Sequence, residues 1–354
     1  MSELEKHVQQ MMDRIESLER GDDMHSHELR DIQEQLQEIR EELGRRGYIE
    51  GEELEGGWGA DSASGKAKVG PGRGQEAVSF SYQPPSPLEE ADALEHEDWE
   101  EALEILDNNL YLAGVFNEHA KSLGAFLYAA YLNKVPVLLC GPNGADIADG
   151  FSAALCGEEA GTLSLKKGFE VEDMKEALSS FTSVVKVEHA LDGLLTGRIP
   201  ELLRSSDRFF IFLHPFAEDI QMEPKGLWSY VLPLFTETFV ERLPERGYES
   251  GKPGEDFLEY GSGGRSKSAL LKLKRLHMTP LVHGRMQQIA QDISQMLMED
   301  TMDASFLYCT MPYAFASMQA EKVLEEVKES EVLQGKISKK ALSEAEFFYG
   351  ATEG

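Results

Sequence analysis

The sequence predicts an α/β protein: a parallel sheet covered by helices, a helical C-terminal region, and a coiled-coil helix at the N-terminus. Three observations predict it. Between residues 99 and 240, short apolar runs alternate with amphipathic ones, the pattern of strands joined by helical crossovers. One such run, Val135 to Cys140, stops abruptly at Gly141-Pro142-Asn143-Gly144, and an amphipathic stretch then runs to Cys156. That is a strand, a tight turn and a helix. Finally, residues 4–43 hold a 4-3 apolar spacing through Leu4, Val8, Met11, Ile15, Leu18, Asp22, His25, Leu29, Ile32, Leu36, Ile39 and Leu43. Only Asp22 and His25 break it, so the coiled-coil signal is strong.

These signals divide the chain. Residues 1–44 read as coiled coil. Residues 45–87 read as a flexible linker, too rich in Gly, Ser, Glu and Pro to bury the apolar surface that ordering needs. An α/β domain follows over 88–244. A Gly-rich flexible loop or insertion takes 245–268, and residues 269–354 form the helical region. Within the α/β domain a helix start is expected at Ser86-Pro87-Leu88-Glu89-Glu90, and helices over Trp99–Leu110 and Glu118–Leu132. Strands are expected at Thr162–Leu165, Ser183–Val187 and Arg208–Leu213. Helices are expected near Val171–Leu178, at Ile199–Arg204, and through Leu227–Val240 with a kink at Pro233.

Charge limits the function classes. The net charge is −30 over 354 residues. Residues 1–110 alone carry 29 acidic against 10 basic side chains, so the acidity is concentrated ahead of the expected sheet. Such a chain does not favour nucleic acid or anionic membrane. One basic cluster runs against this trend: Arg265, Lys267, Lys272, Lys274, Arg275 and Arg285. Its simplest reading is pairing with the acidic N-terminal segment; nucleic-acid binding lacks the aromatic interleaving that a recognised module brings. The three cysteines, Cys140, Cys156 and Cys309, are widely spaced and read as reduced core residues. No metal-type spacing is present, and His119, His189 and His283 read as isolated packing or surface residues. With no signal-peptide h-region and no uninterrupted apolar span, the expected location is cytoplasmic, without membrane contact.

The GPNG turn resembles the opening of a P-loop, and the order of elements resembles an AAA+-type P-loop ATPase core followed by its helical lid, over about residues 100–320. The resemblance implies ATP with Mg²⁺ as cofactor, held by Gly141, Asn143, Gly144, Ala145, Asp146 and Ile147, with the backbone amides of Gly144 to Ile147 as anion donors. It also departs from the family pattern where the chemistry should be. The second glycine of G-x-x-x-x-G-K-[ST] falls on Asp146, the lysine on Ile147 and the hydroxyl residue on Ala148. The strand Arg208–Leu213, placed where the Walker B strand should be, ends in His214-Pro215 instead of Asp-Glu. Glu218 and Asp219 follow as the only acidic candidates for catalysis. The expectation is an oligomeric, AAA+-like pseudo-ATPase, regulatory or scaffolding, in which GPNG is a structural strand–helix turn or a nucleotide-sensing site without efficient hydrolysis. It would self-associate through Leu4–Leu43 and act on a protein partner. The alternative is a divergent Mg²⁺-dependent NTPase using Asp146, Glu218 and Asp219. A nucleic-acid-associated role for the 265–285 cluster is the weaker third.

Overall fold

The computed structural model describes residues 80–86, 94–166, 178, 183–192, 195–258, 260, 269–298 and 302–350. All belong to one unit, Gln75–Gly354. The coiled coil, most of the linker, the helix start after Ser86, the Val171–Leu178 helix except Leu178, and Arg265 and Lys267 lie outside the described residues.

Six strands make the main sheet: β1 (Phe80–Gln83), β4 (Gly161–Leu165), β5 (Val184–Glu188), β6 (Phe209–His214), β3 (Val137–Cys140) and β7 (Leu232–Phe235), in that spatial order. β1 is antiparallel to β4, and every other pair is parallel. Burial follows position. β3 and β7 are buried throughout, and β5 and β6 nearly so, as parallel strands covered on both faces must be. β4 alternates, and β1 on the edge is largely exposed. Burying Phe209, Phe210 and Phe212 stabilises the sheet by roughly 1.5–3 kcal/mol each.

Before β3 the chain forms α1 (Trp99–Leu112) and α2 (Asn117–Leu132). Asp98 caps α1 by accepting from the amides of Glu100 and Glu101 at 2.9 and 3.1 Å. Asn109 on its buried face donates to the carbonyls of Gly150 and Glu249 and accepts from the Glu249 amide. That joins α1 to α3 (Gly144–Cys156), the helix after the glycine turn. Asp149 on α3 pairs with the buried Lys186 of β5 at 2.7 Å and accepts from the Ala160 amide. The short α4 (Ile199–Ser205) follows β5.

Three expectations are corrected. The end of the 45–87 linker is structured, because Phe80–Gln83 forms β1 and pairs with β4 at the sheet edge. Leu227–Val240 is not a kinked helix: 3₁₀ turns at Lys225–Ser229 and Thr236–Thr238 flank β7. Pro233 explains why. The Leu232 amide bonds the Pro136 carbonyl toward β3, so the missing N–H of the next residue faces the open edge, where proline is tolerated. The third correction falls in the 245–268 loop, where Gly251–Leu258 forms β8, parallel to β2 (Leu94–Asp98). This small ribbon rests on α3 through buried His96, whose Nε2 donates to the Ala154 carbonyl at 2.7 Å. A Cβ on Gly251 would stand 2.4 Å from that imidazole, so glycine is required there.

The C-terminal region is helical, as expected. Thr279 caps α5 (Pro280–Leu297), with proline at its first position. Then come α6 (Asp303–Ser305), a π-helical turn at Phe306–Thr310, and α7 (Met311–Ala316). Pro312 cannot donate to Tyr308, four residues back, and the wider turn sits immediately before it. α8 (Ala320–Glu329), α9 (Glu331–Gln334) and α10 (Lys339–Tyr349) close the unit. Phe235 of β7, Phe315 and Tyr349 form an aromatic triangle with centroids 5.0 to 6.1 Å apart, fixing these helices to the sheet. Among the described residues, no helix is long and apolar enough to cross a membrane.

Candidate functional site

The strand order places a switch point at β3. The chain leaves β3 for β4, returns through β5 and β6, and then crosses β3 to reach β7. In open α/β sheets the crevice outside the carboxyl ends of strands at such a point is the usual binding place. A cleft of about 560 Å³ lies there. After β3 it is lined by Gly141, Asn143, Gly144, Ala145 and Asp146; after β5 by Glu188, His189 and Asp192; after β6 by His214, Pro215, Phe216 and Asp219.

The turn itself is short and internally held. Three residues, Gly141 to Asn143, separate β3 from α3. Gly141 has φ +111° and donates to the His214 carbonyl, and a Cβ there would lie 2.6 Å from Thr236 Oγ1. Asn143 takes the left-handed conformation at φ 57°, which asparagine tolerates. Its Nδ2 donates to the carbonyls of Ala113 at 2.9 Å and Arg242 at 2.8 Å. The side chain is therefore committed to the protein.

Of the expected anion donors, the Ile147 amide is removed, because it bonds the Asn143 carbonyl, and the Ile147 side chain is fully buried. The amides of Gly144, Ala145 and Asp146 start the helix and have no intrahelical acceptor. Burial pushes the Asp146 carboxyl above the usual range, while its own backbone N–H and the Lys186 charge pull it back. A negative side chain thus already stands at the positive end of α3.

The other walls are acidic and imidazole-bearing. His214 Nε2 lies 3.5 Å from Asp219 Oδ2 and is buried with no hydrogen-bond partner among the described residues. His189, at φ 61°, has Nδ1 3.1 Å from Asp192 Oδ2. Such pairs can bind a cation or pass a proton. They do not neutralise a polyphosphate, and no Lys or Arg lines the cleft among the described residues. Asp219 is on the wall, whereas Glu218 is exposed and does not line it. Glu188 was missed because Lys186 interrupts the apolar run of β5, hiding its acidic end.

The basic cluster is divided. Arg275 pairs with Glu325 and Glu329 of α8, Glu326 accepts from the amides of Lys274 and Arg275, and Arg285 donates to the Ser229 carbonyl. The partners of Arg275 thus come from the C-terminal region. Compared with protein-family models, curated proteins and solved structures, the chain matches none.

Proposed function

We propose that this protein is a regulatory or scaffold protein built on an AAA+-like core that does not turn over nucleotide. Assembly runs through the heptads at Leu4–Leu43, and the working partner is another protein. The observation carrying this reading is the cleft at β3, β5 and β6, whose described walls present Asp146, Glu188, Asp192 and Asp219 with no Lys or Arg. A triphosphate there meets like charge at close range. The lysine and Ser/Thr that would bind phosphate and Mg²⁺ are replaced by Ile147 and Ala148, both fully buried.

The test is phosphate release from ATP and GTP by the full chain with Mg²⁺. The reading expects none above buffer. Release that disappears in Asp219→Ala or Asp146→Ala would support the second reading, a divergent Mg²⁺-dependent NTPase. What favours that reading is that Asp146 and Asp219 share one cleft with Glu188, since Mg²⁺ is commonly held by one or two carboxylates plus substrate phosphates.

A further inference from the structure

We propose that Glu118, His119 and Glu344 form a site for one divalent transition-metal ion, which ties α10 to the first turn of α2. Among the described residues, this is the set whose possible ligand atoms all lie within 4.8 Å of one another. It stands apart from the β3 cleft and does not depend on the function proposed above. Sequence spacing hides it, because two ligands are adjacent in the chain and the third comes from the last helix.

The histidine is prepared as a ligand. Its Nδ1 is 2.8 Å from the Tyr308 hydroxyl, which also bonds Ser122 Oγ at 3.0 Å. Ligating histidines characteristically have their second nitrogen held in this way. The ring packs edge-on against Phe116 and Tyr308. With the Nδ1 proton donated to Tyr308, Nε2 presents a lone pair to Glu344 Oε2 at 3.7 Å. In that tautomer the two acceptors face each other, and a metal ion between them satisfies both, as an Nε2 proton does in the other tautomer. Their separation is close to the roughly 3.4 Å between ligands of a tetrahedral zinc ion.

A cation already occupies the neighbourhood. Lys340 Nζ lies 2.6 Å from Glu118 Oε2 and 3.9 Å from Glu344 Oε1. Lys340 is exposed, and an exposed ion pair is weak, so a metal ion displaces it at small cost. One imidazole nitrogen with two carboxylate oxygens suits Zn²⁺, Co²⁺ or Mn²⁺ better than the all-oxygen ions Mg²⁺ and Ca²⁺.

The experiment is calorimetric titration of the full chain with ZnCl₂, with Co²⁺ absorption as a second readout. The expected result is one equivalent that is lost in Glu344→Gln and in His119→Asn. Co²⁺ should give visible bands without a thiolate charge-transfer band. Tyr308→Phe should weaken binding about 10–100-fold by freeing the imidazole. Lys340→Met should tighten it, because the competing ammonium is gone. His25 and His27 can take adventitious metal, so the equivalent that counts is the one lost in Glu344→Gln. Zn²⁺ should raise the melting temperature of the wild type and not of Glu344→Gln. Equal titrations of wild type and Glu344→Gln, or no tightening in Lys340→Met, would overturn the proposal. Both of these variants change partly or fully exposed side chains, so a folding failure of His119→Asn leaves the test intact.

Discussion

Asn143 shows how a residue that looks like part of a ligand loop can belong to the scaffold. Its amide bridges two carbonyls, so Asn143→Ala should cost about 1–3 kcal/mol in urea unfolding, with Asn143→Gly milder because glycine accepts the left-handed backbone. Wild-type stability in Asn143→Ala would mean that the turn is held by something else. Lys186 gives a second test at this scale. Burial pushes Asp149 up to about 6, against the pull of Lys186. A carboxyl raised in the folded state keeps a proton that the unfolded chain has released. Its contribution to stability therefore falls as pH rises from the ordinary carboxylate range to about 6. Lys186→Met removes the partner and should cost about 3–5 kcal/mol at pH 8. Without Lys186 the Asp149 carboxyl rises further, so the variant takes up its proton at higher pH than the wild type, and the cost should shrink as pH falls toward 6 and level off below it. A pH-independent loss would show that packing, not charge, makes the contact important. Glycine and apolar spacing made Gly141, Gly144 and the buried strand legible in the sequence. They could not reveal where the Asn143 amide would go, because its acceptors lie in the segments around Ala113 and Arg242.

At the scale of elements, amphipathic period and strand apolarity marked α1, α2, α3, β3, β4, β5 and β6 to within a residue or two. They failed where local pattern and tertiary position disagree. Leu227–Val240 reads as helix because apolar residues recur at helical spacing, but the sheet's free edge takes Leu232–Phe235 as a strand and tolerates Pro233. β8 carries Gly251, Pro253 and Gly254, and only its pairing with β2 makes it a strand. The attachment of the C-terminal helices is an element-scale property as well. Phe235 is buried and touches both Phe315 and Tyr349, so Phe235→Ala should cost about 3–5 kcal/mol in denaturant unfolding. A loss below about 1 kcal/mol would mean that other contacts hold α7 and α10 to the sheet.

For the molecule as a whole, topology brings three strand ends together around one cleft, an assembly that linear order does not reveal. The GPNG turn and Asp219 were visible as separate signals. Glu188, His189, Asp192 and His214 joined them only through the order β5-β6-β3. The resulting wall is acidic, and from it follows the claim that the core binds no free triphosphate and releases no phosphate. The most direct measurement is calorimetric titration of the full chain with ATP, first in EDTA and then in Mg²⁺, following phosphate release in the same sample. The account predicts no binding heat in EDTA, because the carboxylates repel an unscreened triphosphate, and no phosphate release in either condition. Saturable ATP binding in EDTA, or Mg²⁺-dependent release abolished by Asp219→Ala, would contradict it.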